Sequence, residues 1–229
     1  MAYIIYNQNT PRIRGVLFDM DGVILDTEKL YTRFWMEAAQ AKGYPMTREQ
    51  ALGMRSLSKP AGQAQLESYF GPGVSYAEIR AERIQRMEAY IRQYGVEAKA
   101  GIYELLEYLN AKGIATAVTT SSPMDRILRY LGPLGLTDRF DKLCSGYDVP
   151  KGKPEPDIYL RGAAVLGLRP EECLALEDSP AGIESAYRAG CHPVLIPDQD
   201  QPNEMTLSRL FAQADSLADG IGLIEEFST

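Results

Sequence analysis

A short apolar segment that ends in two aspartates places the strongest constraint on the fold of this chain. Val16, Leu17 and Phe18 are typical of a buried strand, and Asp19 and Asp21 follow it, with a glycine next. Because side chains alternate along a strand, both carboxylates would leave its end on the same side. They would repel each other unless a cation lies beside them or one is protonated. The segment therefore indicates a divalent metal with oxygen ligands, typically Mg²⁺, although two solvated turn residues would also explain it.

The chain after this strand has helical spacing only. Its apolar residues predict helices at 28–42, 47–52, 61–70 and 76–94. In the last of these, the predicted apolar stripe is Ile84, Met87, Ile91 and Tyr94. A helical insertion of this length, directly after the strand with the aspartates, is typical of a lid.

From Gly101 onward, helical and strand patterns alternate. Strands are predicted at 114–119, 140–144, 173–176 and 193–196. A helix is predicted to begin at 102, before the first of these strands, and one helix follows each of the first three strands. A last helix is predicted at 218–227. This alternation predicts an α/β fold, a Rossmann-like parallel sheet with helices on both faces. The predicted domains are an α/β core of residues 1–27 and 95–229, and an inserted all-α cap of residues 28–94.

In such sheets ligands bind at the carboxyl ends of the strands, and the residues at those ends are polar here. The first strand leads to the two aspartates, and the others lead to Thr120-Ser121-Ser122, to a loop with Lys153, and to Glu177-Asp178. Ser122 is predicted to cap the following helix, with Pro123 as its first residue and Asp125 completing a capping box. The free amides of that helix start would favour an anion.

Each of these pieces has an ordinary explanation by itself. The hydroxyls could be caps only, Lys153 could be a solvated loop lysine, and Glu177-Asp178 could be the polar start of a helix. Together, carboxylates with magnesium, a lysine and a hydroxyl are the groups needed to hold a phosphoryl group in line. The combination therefore predicts phosphoryl-transfer chemistry at one edge of the sheet.

The composition of the chain limits the classes of binding partner and the cellular compartment that we expect. A net charge of −7 argues against nucleic acid or an anionic membrane as a partner. The three cysteines have no CxxC spacing, which indicates reduced thiols, and no signal or transmembrane pattern is found, so we expect a cytoplasmic protein. The single histidine, His192, precedes an apolar run, where a structural role is expected.

The residues at these strand ends resemble the motifs of a known superfamily. Asp19-Met20-Asp21-Gly22 through Asp26-Thr27, then Thr120, Lys153-Pro154 and Glu177-Asp178, resemble the four motifs of the haloacid dehalogenase-like hydrolases. The helical insertion resembles the small α-helical cap of that family. The subgroup that it most resembles is the phosphoglycolate phosphatase and β-phosphoglucomutase type.

The resemblance implies roles for the motif residues. Asp19 would attack phosphorus and form an aspartyl-phosphate, and Asp21 would protonate the leaving oxygen and then deprotonate water. Thr120 and Ser121, with a nearby backbone amide, would bind phosphoryl oxygens, and Lys153 would neutralise charge on nucleophile and phosphate. Magnesium would be held by Asp19, by the main-chain carbonyl of Asp21 and by Asp178, with Glu177 close by or acting through water.

The resemblance thus implies a magnesium-dependent phosphatase for a small phosphorylated metabolite, of the sugar phosphate or phosphoglycolate type. The alternative is a phosphomutase, but β-phosphoglucomutases have a cap histidine where this chain has Tyr31. A receiver-like signalling domain fits less well, because its acidic residues are spaced differently and it has no helical insertion. Arg55 and Arg86 are the cap residues predicted to contact substrate, although both could be solvated charges.

Overall fold

The computed structural model describes residues 3–7, 11–55, 57, 59–198 and 202–227. Within it the chain divides into two compact units. One comprises Thr27–Val96, and the other comprises Met1–Asp26 with Glu97–Thr229. The two units are described separately below.

The described residues of the unit Thr27–Val96 form helices joined by turns and loops, with no strand among them. Its helices are α1 (Glu28–Ala41), α2 (Arg48–Leu52), α3 (Lys59–Phe70) and α4 (Tyr76–Tyr94). Thr47 caps α2 in a capping box with Gln50, and the Ser75 hydroxyl accepts from the third amide of α4. Polar side chains therefore fix where these two helices begin.

The apolar stripe predicted for α4 is partly wrong. Ile84 and Tyr94 are exposed, whereas the buried face of this helix consists of Tyr76, Ile79, Arg83, Met87 and Ile91. Arg83 lies on that face because its guanidinium stacks over the rings of Tyr31 and Trp35. Because a hydropathy pattern counts Arg83 as polar, the apolar stripe predicted for α4 is rotated away from the face that the helix buries.

The other unit is built on a sheet of seven strands within the described residues. They are β1 (Tyr3–Ile5), β2 (Gly15–Phe18), β3 (Ala115–Thr120), β4 (Lys142–Ser145), β5 (Cys173–Glu177), β6 (His192–Leu195) and β7 (Ala212–Ala214). Their order is β1-β7-β6-β5-β2-β3-β4. Only β1 is antiparallel to its neighbour, so the predicted parallel sheet is confirmed. The short strands β1 and β7 were not predicted from the sequence.

The described residues of this unit form six α-helices, of which all but the last lie between strands in the chain. They are α5 (Ile102–Ala111), α6 (Met124–Leu131), α7 (Asp157–Val165), α8 (Pro180–Ala189), α9 (Glu204–Leu207) and α10 (Leu217–Phe227). Ser179 caps α8, with proline as the first helical residue, as the sequence predicts. No helix in the described part of the chain is both long and apolar enough to cross a membrane.

Both faces of the central strand β2 are covered. Leu17 belongs to a buried cluster with Ala117, Ile158 and Ala186, which joins the sheet to α7 and α8. Val16 and Phe18 point to the opposite face, and they too are fully buried. The three cysteines are free and buried. A sheet covered on both faces leaves its strand ends as the place where polar groups can reach a ligand.

Candidate active site

The four strands that lead to the predicted site residues are neighbours in the sheet, in the order β5-β2-β3-β4. Phe18, the last residue of β2, is level with Leu176 of β5 and with Val118 of β3, and Thr120 is level with Ser145 of β4. Parallel strands in this register end at one edge. Residues that are separated by more than a hundred positions in the chain are therefore brought together.

Lys153 joins the first motif to the last. Its Nζ donates to Oδ1 of Asp19 at 2.5 Å and to Oε1 of Glu177 at 2.6 Å. Burial alone would lower the pKa of Lys153, but the charges of Asp19 and Glu177 raise it above its usual value. The lysine is therefore a permanent cation between two buried carboxylates.

Glu177 is fully buried, and donors surround its carboxylate. The Tyr159 hydroxyl donates to Oε1 at 2.5 Å, and the Ser179 hydroxyl donates to Oε2 at 3.1 Å. Burial and then the charge of Glu177 raise the pKa of Tyr159 well above its ordinary value, so the phenol remains a donor. A side chain at Gly182 of α8 would overlap this carboxylate. Glu177 is thus held in one position from several sides.

Asp19, Glu177 and Asp178 form the acidic cluster of the site. All three are buried, and one carboxylate oxygen from each lies within 4.8 Å of the others. Oxygens on opposite sides of Mg²⁺ are about 4 Å apart, because each bond is about 2.1 Å long. The cluster therefore offers the oxygen donors that Mg²⁺ prefers, close enough together to be a candidate site for a divalent metal ion.

The electrostatics of Asp19 also fit a metal site. Burial raises the pKa of Asp19 to about 7, the charges of Glu177 and Asp21 act in the same direction, and Lys153 opposes them. One ammonium does not balance these carboxylates. A bound divalent cation would supply the missing positive charge and keep Asp19 ionised at neutral pH.

Asp21 is held apart from this acidic cluster by residues of the loop after β3 and of α6. Nη2 of Arg126 donates to its Oδ1 at 3.1 Å, and the Ser122 hydroxyl approaches its Oδ2 at 3.4 Å. The Asp21 side chain is partly exposed, unlike that of Glu177. Its carboxylate is therefore accessible from solvent and oriented by two donors.

The predicted capping box at the start of α6 is wrong. This helix begins at Met124, Pro123 is its N-cap, and no side chain caps it. The Ser122 hydroxyl points to Asp21 instead, its amide donates to the Thr120 hydroxyl at 3.1 Å, and its carbonyl accepts from Ser145. The hydroxyl chemistry of this loop serves the strand edge rather than the helix.

Thr120 and Ser121 differ in exposure. Thr120 is buried at the end of β3, whereas Ser121 is exposed. A side chain at Gly146, after β4, would press on the backbone of both residues, so β4 approaches this loop closely. The segment that is predicted to bind phosphate is thus supported from the neighbouring strand.

The predicted cap residues lie in the helical unit, and both are paired there. Nε of Arg55 donates to Glu28 at 2.6 Å, with both side chains nearly buried, and Arg86 pairs with Glu82 within α4. Tyr31 lies under the guanidinium of Arg83, at 4.7 Å from the ring centroid. The His192 ring packs at an angle against Phe211 and contacts the carbonyl of Glu171, which agrees with a structural role.

Tyr159 and Arg126 were not predicted as site residues, although the sequence around each contains an unusual feature. Tyr159 is a phenol on the otherwise apolar face of α7, next to Ile158 and one turn before Ala163. Arg126 is the third residue of α6, a position where the helix dipole disfavours a cation. A buried hydroxyl and a misplaced charge both need partners from other elements.

The chain is similar to known proteins over most of its length. A family model described as haloacid dehalogenase-like hydrolase matches residues 16–196. Hexitol phosphatase A of Escherichia coli K12 is 36% identical over 86% of this chain and 90% of its own length. β-Phosphoglucomutase of Bacillus subtilis 168 is 30% identical over 83% of this chain and 85% of its own length.

A solved structure has the same fold. It is a haloacid dehalogenase family hydrolase from Deinococcus radiodurans R1 with bound phosphate and sodium, 28% identical, with a TM-score of 0.77. The match covers 95% of this chain and 97% of that one. The similarity therefore includes both units of the chain.

Proposed function

The chain belongs to the haloacid dehalogenase-like hydrolase family, and from this premise we propose that it is a magnesium-dependent phosphatase for small phosphorylated metabolites. The observation that carries the proposal is the contact of Lys153 Nζ with Asp19 Oδ1 at 2.5 Å. A carboxylate cannot approach a phosphate dianion until positive charge cancels the repulsion. Lys153 places that charge on the nucleophile.

In the proposed reaction Asp19 attacks phosphorus and forms an aspartyl-phosphate, while the bond to the leaving oxygen breaks. Asp21 gives its proton to that oxygen, and its carboxylate then takes a proton from the water that hydrolyses the intermediate. Thr120, Ser121 and the amides of their loop bind the phosphoryl oxygens. Lys153 neutralises charge on both the nucleophile and the phosphoryl group.

We propose that Asp19 and Asp178 hold the metal directly, with the main-chain carbonyl of Asp21 and with Glu177 nearby or acting through water. The spacing of the three buried carboxylates supports this set. When bound, the ion would supply charge neutralisation at the phosphoryl group. Glu177 has a second proposed role, because its contacts with Lys153 and Tyr159 fix the direction of the ammonium.

The proposed substrates are sugar phosphates or related small phosphate esters. Support comes from hexitol phosphatase A, at 36% identity over nearly the whole of both chains. Arg55 and Arg86 remain proposed substrate contacts of the cap. Arg55 pairs with Glu28 and is nearly buried, whereas Arg86 forms a half-exposed pair within one helix.

The first test is the hydrolysis of p-nitrophenyl phosphate with Mg²⁺. We expect turnover by the wild-type protein and a loss of at least about 10³-fold in kcat for Asp19→Asn, because the amide is not a nucleophile. Asp138→Asn is the matched control, since Asp138 is exposed and belongs to none of the predicted motifs. Equal activity of Asp19→Asn and wild type would refute the nucleophile assignment.

A phosphomutase is the second candidate, favoured by the 30% identity to β-phosphoglucomutase. Tyr31 argues against it, because a phenol cannot do the proton transfer of a histidine at neutral pH. The same enzyme preparation, given a hexose 1-phosphate with a bisphosphate activator, should release inorganic phosphate slowly. Rapid formation of the 6-phosphate isomer would reverse the order of the two candidates.

A further inference from the structure

Arg126 has no role in the proposed phosphatase reaction, although its guanidinium contacts Asp21. It lies in the first turn of α6, where the helix dipole disfavours a cation, and yet its guanidinium pairs with Asp21 at 3.1 Å. A residue that breaks a local rule of helix design points to a functional constraint. The pairing partner here is the proposed general acid and base.

The guanidinium of Arg126 is itself fixed. It lies over the ring of Tyr130, one turn along α6, at 4.8 Å from the ring centroid. Tyr130 is buried, with 1% of its surface exposed, so the ring is a rigid support. The arginine therefore presents its Nη2 donor to Asp21 from a position that the core determines.

The second donor on Asp21 is equally well supported. Ser122 Oγ approaches Oδ2, while the Ser122 amide is bound to Thr120 and its carbonyl to Ser145. Arg126 and Ser122 thus reach different oxygens of the same carboxylate. The 3.1 Å contact from Arg126 orients the carboxylate, and the longer 3.4 Å approach of Ser122 faces its other oxygen.

We propose that Arg126 is a positioning residue for Asp21, holding the carboxylate in the orientation from which it exchanges a proton with the leaving oxygen and with water. The inference rests on the proposed phosphatase function. General acid catalysis depends on hydrogen-bond reach to the proton that moves, so a carboxylate free to rotate transfers it less often. Arg126 touches neither substrate nor metal in this scheme and acts through Asp21.

The test uses two substrates that differ in how much their leaving group needs a proton. Phenol resembles tyrosine, with a pKa of about 10, and its anion leaves poorly without an acid. p-Nitrophenolate is a more stable anion and needs the acid less. The ratio of kcat/KM for p-nitrophenyl phosphate to that for phenyl phosphate therefore reports on the action of Asp21, whereas a general loss of folded protein leaves it unchanged.

For Arg126→Ala we expect the ratio to rise about tenfold, a fraction of the 10²–10⁴-fold that general acid catalysis contributes. The loss should fall on kcat more than on KM, because Arg126 does not bind substrate. Asp21→Asn sets the upper limit of the change. Arg129→Ala is the control, since Arg129 lies one turn away on the same helix and is half exposed.

A ratio equal to that of wild type in folded Arg126→Ala, or a higher activity than wild type, would overturn the inference. Arg126→Met keeps an unbranched stem on Tyr130, and its ratio decides the question if the alanine variant does not fold. Failure of this inference is distinct from failure of the proposed function. In the first case wild type hydrolyses both esters and the ratio does not move, and in the second wild type hydrolyses neither.

Discussion

At the scale of single residues, Glu177 is the most constrained side chain of the site. Transferring a carboxylate from water into a protein interior is costly unless it is paired and hydrogen-bonded. Here Lys153, Tyr159 and Ser179 all donate to it, and it has no exposed surface. The cost of burial is therefore offset by charge pairing and by neutral donors together, and each donor should be measurable by removal.

Tyr159→Phe removes the hydroxyl that donates to Glu177 and leaves the rest of the side chain unchanged. We expect it to lower the free energy of unfolding by about 1–3 kcal/mol, because the phenol hydrogen-bonds to a buried charged group. It should also lower kcat, since Glu177 then orients Lys153 less firmly. Urea unfolding and steady-state hydrolysis of p-nitrophenyl phosphate measure the two effects.

The control for this prediction is Tyr103→Phe. The Tyr103 hydroxyl donates to the neutral carbonyl of Leu134 at 2.9 Å. A bond of that kind contributes about 0.5–1.5 kcal/mol, and it lies outside the site. If Tyr159→Phe were as stable and as active as wild type, the Tyr159 hydroxyl would contribute to neither stability nor catalysis.

At the scale of elements, α8 is shaped by the carboxylate that it covers. Its N-cap Ser179 contacts Glu177, and Gly182 stands in its first turn against the same side chain. Helix propensity favours alanine over glycine by about 1 kcal/mol. Glycine at this position therefore reflects the close approach of the helix to the site.

Gly182→Ala should destabilise the protein and reduce activity, because a methyl group would overlap Glu177. Gly220→Ala in α10 is the matched comparison, since nothing lies within 4 Å of the added carbon. There we expect a gain of up to about 1 kcal/mol from helix propensity. Thermal unfolding of the two variants decides the matter, and a stabilised Gly182→Ala would contradict the contact described here.

Helices were predicted better than strands because period 3.6 repeats over many residues. The bounds of α4 are those that the sequence predicts, whereas β1 and β7 are only three residues long. Strands that short give little periodicity to detect. β4 shows a related difference, since Phe140 was predicted as its start but lies before it, packed edge-on against Phe18.

At the scale of the whole molecule, the site concentrates negative charge in a chain that is already acidic, with net charge −7. Burial raises the pKa of Asp19 to about 7, well above the usual aspartate value of 3.8. An acid with a raised pKa in the folded state contributes stability below its unfolded pKa. That contribution is lost as the pH rises through the folded value.

Magnesium should therefore stabilise the protein more at high pH than at low pH. We expect the Mg²⁺-induced rise in Tm to be larger at pH 8 than at pH 5.5, because protons compete with the ion for Asp19. Differential scanning fluorimetry at millimolar Mg²⁺ measures it. In Asp19→Asn the difference between the two pH values should shrink, and an equal rise at both pH values in wild type would contradict the assignment.

The amino-acid sequence was enough to predict the order of the longer helices and strands and to identify the motif residues, although it missed the short strands β1 and β7. An apolar strand that ends in aspartates, followed by strand ends with Thr120, Lys153 and Glu177, sufficed to predict an α/β sheet with one polar edge. These signals are local, since each depends on the periodicity and composition of a few neighbouring positions.

Which side chains contact each other follows from the three-dimensional arrangement of the strands. The contacts of Tyr159 with Glu177 and of Arg126 with Asp21 join positions 18 and 105 residues apart, so no local pattern contains them. The same holds for Ser122, whose hydroxyl approaches Asp21 after β2 instead of capping α6. Strand register brought these partners together, and register is set by packing across the sheet rather than by any one segment.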